Sequence, residues 1–160
     1  MYRRVLVPLD GSPLAESILR FIEEIAGPLD MEVVLLRVVP LSPEEVMGIA
    51  PSVGMDTMVA RELTAQRYLK SLVDELWATK GLRARAEVVL GEPAPEIVAT
   101  ARKVDADLIA MTTHGRSGFG RLMFGSVAEA VVRAAPVPVF LMRMVETAVE
   151  SQAAAGETRS

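Results

Sequence analysis

The feature that most limits how this chain can fold is a regular alternation of two patterns along its length. Short runs rich in Val, Leu and Ile, at 5–9, 32–39, 84–90, 107–112 and 137–142, read as strands. Between them apolar residues recur at helical spacing. Leu14, Ile18, Phe21, Ile22 and Ile25 follow a Ser12-Pro13 start, and Ala65, Leu69, Leu72 and Leu76 mark a longer helix from near Asp56 to Gly81. Ile97, Val98 and Ala101 follow the stretch GEPAPE, and Val127, Ala130 and Val131 form the last helical period. Strand and helix in turn through the whole chain predict an α/β fold: a doubly wound parallel sheet of five strands, with right-handed crossovers and helices on both faces. The unbroken apolar character of the first and fourth strands places them at the sheet centre. Val137-Pro138-Val139 places the fifth at an edge, because proline has no N–H for a central ladder.

At 160 residues the chain is the size of a single domain with a substantial core. It has no cysteine and one histidine, which excludes a disulfide framework, thiol redox chemistry and a histidine-based metal cluster. A net charge of −4, from 21 acidic and 17 basic residues mixed along the chain, offers no basic footprint for nucleic acid. No apolar run reaches the roughly 18 residues of a membrane span, and the N-terminal stretch lacks a signal peptide's pattern, so a cytoplasmic protein is expected. Residues 40–56 read as a mobile insertion carrying a short helix signal at Ser42-Pro43-Glu44-Glu45. Residues 146–160 read as a flexible tail outside the domain of residues 1–145.

The most unusual connection is MTTHGRSGFGRLMFGS, residues 111–126, with four glycines, two arginines and the sole histidine. Ordered loops of this length are more often functional than incidental. It lies after the fourth strand, as PLDGS (residues 8–12) lies after the first. If those strands are neighbours, the two loops face one crevice at the carboxyl ends, where ligands of open α/β sheets sit. Glycines let backbone approach a phosphate closely, and Gly125-Ser126 opens a helix whose free N–H groups attract an anion. Ser126 and Glu129 also have the spacing of a capping box, so capping and phosphate binding both remain open for that serine. Neither the G-x-G-x-x-G nor the G-x-x-x-x-G-K-[ST] signature is present. His114 reads as a turn residue in preference to a catalytic base, and Arg116 and Arg121 as phosphate donors or solvated charges. Trp77 and Met58 fit a core or partner-facing stripe of the long helix.

The stretches VLVPLDGS, VVLLRVV, GEPAPEIVATARKVDADLIAM and THGRSGFGRLMFGSVAEAVVRAAPVPVFLM together resemble the universal stress protein family, from about residue 2 to 143. The resemblance implies a Rossmann-like sheet with strand order 3-2-1-4-5. The nucleotide-binding branch of that family carries G-x-x-G, nine residues, then G-[ST]. This chain reads Thr112-Thr113-His114-Gly115, nine residues, then Gly125-Ser126, so Thr112 stands in place of the first glycine. By this resemblance the ligand is ATP, with or without Mg2+. Asp10 takes the ribose hydroxyls, Pro8, Leu9 and Val38 line the adenine slot, and Met111 forms its floor. Thr112, Gly115, Arg116, Gly125, Ser126 and Val127 surround the phosphates. The resemblance further implies a homodimer paired through the edge strand 137–142. The expected role is a regulatory or stress-response module. A slow ATP hydrolase and an interaction protein with a degenerate site are the alternatives.

Overall fold

The computed structural model describes residues 2–48, 52–115 and 125–145. Along the chain run β1 (Arg4–Pro8), α1 (Pro13–Glu16), α2 (Ile18–Ala26), β2 (Glu32–Val39), α3 (Pro43–Val46) and α4 (Ser52–Lys80). They are followed by β3 (Ala84–Leu90), α5 (Pro93–Lys103), β4 (Leu108–Gly115), α6 (Ser126–Ala134) and β5 (Val139–Val145). The five strands form one sheet in the order β3-β2-β1-β4-β5, with every neighbouring pair parallel. This is the doubly wound arrangement expected from the alternation, with β1 and β4 inside and β5 at an edge.

Two apolar cores sandwich the sheet. Val5, Val7, Val33 and Leu35 pack with Ile18, Ile22 and Leu69 of α2 and α4. On the other face Leu6, Val34, Leu36 and Ile109 pack with Ile97 and Ala101 of α5 and Val131 of α6. Val5, Leu6 and Val7 are all fully buried, which is why β1 reads as an unbroken apolar run. Each such side chain contributes about 1.5–3 kcal/mol through burial.

Several boundaries differ from the sequence reading, each for a local reason. The helix expected after Ser12-Pro13 is split at Ser17, whose hydroxyl donates to the Leu14 carbonyl at 2.5 Å and ends α1. Ser12 accepts the Ala15 amide as the N-cap of that first turn. The long helix begins at Ser52, before the expected Asp56. β5 begins at Val139 because Pro138 brings no N–H, although its carbonyl still accepts from Ile109 at 3.0 Å. β4 runs three residues beyond the expected Thr112, to Gly115 opposite Val145. On α4, Trp77 projects outward and is 64% exposed, so it belongs to no core.

In the 40–56 insertion, residues 49–51 lie outside the described part, as does the tail at 146–160. The described part carries a complete capping box: Ser42 accepts the Glu45 amide and Glu45 accepts the Ser42 amide. Arg61 of α4 grips this segment at two points, donating to the Pro40 carbonyl at 2.8 Å and to the Glu45 carboxylate. The Arg61 hydrogen bond, joined by the Ser42 amide, holds the Glu45 carboxyl below its usual range.

At the opposite end of the sheet a chain of ion pairs crosses three strands. Glu32 meets both Arg4 and Arg85, Arg85 also meets Glu87, and Lys103 of α5 reaches Glu87 at 3.1 Å. Burial pushes the Glu32 carboxyl up, but the hydrogen bonds and charges of Arg4 and Arg85 outweigh it and hold the group below its ordinary value. The folded pKa therefore lies below the unfolded one of about 4.3, so this contribution to stability is present above that pH and is lost as pH falls through the folded value. With the three side chains a quarter or more exposed, solvent screening limits its size. Glu32→Gln should lower stability by about 0.5–1 kcal/mol at pH 7. The gap to the wild type should close at acid pH, as read by urea unfolding at pH 7 and pH 3. A gap of equal size at both would assign the loss to packing.

Candidate functional site

A cavity of about 490 Å³ opens at the carboxyl ends of β1, β2 and β4, within the usual size of small-molecule sites at roughly 300–1,000 Å³. The topology creates it: β2 and β4 flank β1, and the chain leaves β1 and β4 toward opposite faces of the sheet.

From β1 come Pro8, Leu9 and Asp10. The Leu9 amide donates to the Leu36 carbonyl at 2.8 Å, which extends the ladder one residue past β1 and fixes where Asp10 emerges. Gly11, at φ +84°, makes the turn, a conformation glycine adopts without strain. Asp10 Oδ1 accepts the Ser12 amide at 2.8 Å, so the turn role open to this aspartate is realised while its carboxylate faces the cavity. Burial raises the Asp10 pKa, but the hydrogen bonds from Ser12 and the charge of Arg37 overcome that effect and lower it. The group is an anion at neutral pH.

From β2 come Leu36, Arg37 and Val38, and from β4 come Met111, Thr112 and Thr113. Strand alternation sorts them. Leu36, Val38 and Met111 belong to the core under α5 and α6, whereas Arg37 and Thr112 fall on the α1 side. Thr113 shares the Met111 side and is only 5% exposed. Pro93 and Ile97 of α5 close the wall.

The fourth side is the start of α6. The chain enters it with Gly125 as N-cap, at φ −57° and ψ 152°, and among the described residues no side chain caps the helix. Ser126 therefore sits one position inside the helix, and the capping box open to it does not form. Glu129 instead takes Arg133 at 2.6 Å. Among the described residues nothing accepts from the amides of Ser126, Val127 and Ala128, which line the cavity with Gly125. An uncapped helix start of this kind presents N–H donors and a partial positive charge.

Of the residues singled out from the sequence, Pro8, Leu9, Asp10, Val38, Met111, Thr112, Gly125, Ser126 and Val127 come together in this wall. Gly115 closes β4 opposite Val145, and Arg116 and Arg121 lie outside the described residues. His114 is a strand residue paired with Met144 and not part of a turn. The sequence reading missed Arg37 and Thr113. Arg37 is a charged residue inside an apolar strand run, and that misfit was the available signal, whereas Thr113 lies just past the expected end of its strand.

An open parallel sheet with a concave cavity at its switch point, walled by a helix N-terminus, defines a domain of the doubly wound α/β class with a candidate small-ligand site. The chain matches the model of the Universal stress protein family over residues 1–143 and belongs to that family. The universal stress protein MJ0531 of Methanocaldococcus jannaschii is 34% identical over 148 residues, spanning 89% of this chain and 83% of that one. The solved structure of MJ0577 from the same organism aligns with a TM-score of 0.70 at 26% identity, covering 92% of this chain and 99% of that one. A universal stress protein of Archaeoglobus fulgidus, solved in complex with dAMP, has the same fold: TM-score 0.59 at 23% identity, covering 88% of this chain and 97% of that one.

A Cβ built on Gly125 meets no atom of the described residues within 4 Å, and its φ is one that any residue adopts. The described part of the fold therefore makes no demand for glycine there. Gly125→Val should change unfolding free energy by less than about 1 kcal/mol, the scale of an N-cap exchange, as read by urea denaturation. A larger loss would give the glycine a structural role.

Proposed function

We propose that the protein binds an adenine nucleotide, ATP or a close relative, in the cavity between β1, β2 and β4, and acts as a dimeric regulatory module in the cytoplasm. The observation that carries this reading is the start of α6, whose first amides line the cavity with no acceptor among the described residues. Donors left unsatisfied in a concave site call for acceptor oxygens from a ligand, and phosphate at a helix N-terminus supplies them. Asp10, held as an anion across the cavity, suits sugar hydroxyls, which it accepts from. Pro8, Leu9 and Val38 then flank the base and Met111 lies beneath it, while Thr112, Gly125, Ser126 and Val127 surround the phosphates, with Gly115 and Arg116 following in the chain. The Archaeoglobus fulgidus relative in complex with dAMP supports an adenine nucleotide as the ligand. No described helix is long and apolar enough to cross a membrane.

Binding in place of rapid turnover follows from the same carboxylate. A carboxylate stabilised as an anion by Ser12 and Arg37 is a weak base toward water, which argues against rapid hydrolysis through Asp10.

Gly125→Val places a branched side chain where the phosphate approaches the α6 amides. Charge-assisted bonds contribute roughly 1.5–3 kcal/mol each, so even one lost contact weakens ATP binding about tenfold to a hundredfold. Asp10→Ala should cost less, and Thr112→Gly should tighten binding by removing the branched side chain from the wall. Calorimetric titration of ATP into the three variants, together with mass spectrometry of nucleotide released from freshly purified protein, tests this. Unchanged affinity in Gly125→Val would return the loop to a structural role, and a wild type that binds no nucleotide would favour the interaction protein with a degenerate site.

Dimerisation is proposed through β5, which pairs with β4 on one edge only and exposes part of Val139, Phe140 and Leu141. Such an edge is stabilised by a second strand. The wild type should sediment as a dimer at micromolar concentration and the Val139→Lys, Leu141→Lys double variant as a folded monomer. A wild-type monomer well above that range would refute the pairing.

A further inference from the structure

Arg37 is an anomaly among the charged residues. The described Lys and Arg residues that are not fully exposed are Arg4, Arg37, Arg61 and Arg85. Arg4 pairs with Glu32, Arg61 with Glu45, and Arg85 with Glu32 and Glu87. Arg37 alone has no carboxylate within 4.0 Å among the described residues, and its one hydrogen bond is a long contact to the Leu9 carbonyl at 3.4 Å. A half-buried guanidinium with unused donors is costly unless something supplies acceptors.

Its surroundings show why the protein does not supply them. Glu16 of α1 accepts the Tyr68 hydroxyl of α4 at 2.7 Å. Burial, then the Glu16 hydrogen bond and charge, push the Tyr68 hydroxyl well above its usual range, and Arg37 and Asp10 both act on it as well. Arg37, Asp10, Glu16 and Tyr68 thus form one polar cluster on the α1 side, in which Glu16 is committed to Tyr68 and Asp10 to the Ser12 turn. Arg37 and Asp10 also share the cavity wall, and the carbonyl that Arg37 touches belongs to the residue before Asp10.

We propose that Arg37 is a ligand contact that donates to the same sugar hydroxyls whose protons Asp10 accepts, and that this pair makes the site select a ribonucleotide over its 2′-deoxy counterpart. The inference rests on the nucleotide reading above. A hydroxyl is both donor and acceptor, so a carboxylate alone satisfies half of it, whereas a carboxylate beside a guanidinium matches both halves. A 2′-deoxy sugar leaves both site groups short of a partner, the situation in which hydrogen-bonding sites discriminate most strongly. A phosphorylated sugar gains from Arg37 but meets the Asp10 charge, so the pair fits a free diol best.

The test is calorimetric titration of the full chain with ADP and with 2′-deoxy-ADP, for the wild type and for Arg37→Met, with thermal unfolding as the control for fold. The wild type should prefer ADP by about tenfold, the scale of one hydrogen bond to a charged group. Arg37→Met should lower the ratio severalfold by weakening ADP more than 2′-deoxy-ADP. Should the Met variant unfold, Arg37→Gln is read the same way. Equal wild-type affinities, an unchanged ratio in the variant, or equal weakening of both nucleotides would overturn the role of Arg37 and leave the nucleotide reading standing. Binding of neither nucleotide by the wild type would overturn that reading, and this proposal with it.

Discussion

Complete burial of the centre of β1, Val5 to Val7, is the constraint from which the rest of this structure follows. A strand covered on both faces and paired on both edges has no choice of register or neighbour, and Val5, Leu6 and Val7 leave no polar side to turn outward. With β2 on one side and β4 on the other, the chain must depart from β1 over one face and from β4 over the other. The gap this leaves at the carboxyl end is the cavity. Asp10 reaches it because the ladder continues through Leu9 before the chain turns, and α6 reaches it because β4 is the next strand across.

Within that gap the charges are unequal in a useful way. The α6 start contributes a diffuse positive end made of backbone amides, Asp10 a full negative charge, and Arg37 a full positive charge, all in one cavity wall. Between low-dielectric walls such fields are screened less than at an open surface, so they would orient the proposed nucleotide, with its anionic and its hydroxylated end, in one way.

The architecture was legible because burial leaves a direct imprint on composition. Double burial turned β1 and β4 into plain apolar runs, and the missing N–H of Pro138 marked the edge. Phase was less legible. The apolar spacing from Leu14 to Ile25 passes through Ser17 without interruption, so the break there depends on a hydroxyl turning back to the Leu14 carbonyl. Ser126 and Glu129 have the right separation for a capping box, but Gly125 takes the cap position and moves the serine one place along, a shift that no spacing rule sees. Arg37 went unremarked because it is surrounded by the residues of an ordinary strand, and Thr113 because it lies just past the expected end of its own. Only alternation across the sheet shows that their polar ends reach the cavity.

The pairing of β1 with β4 also sets a clock for synthesis. Asp107 accepts the amides of Arg3 and Arg4, about 103 residues earlier, at 2.7 and 2.9 Å, and the β1–β4 register begins at Val5 opposite Leu108. At roughly 5–20 residues per second, the N-terminal strand waits about 5–20 s on the ribosome before its second neighbour exists. Throughout that interval one edge of the most apolar strand is open, with only β2 and the helices made before β4 to shelter it. Nascent chains of this protein are therefore most exposed to misassociation before residue 108 emerges, and protection by chaperones matters most in that window.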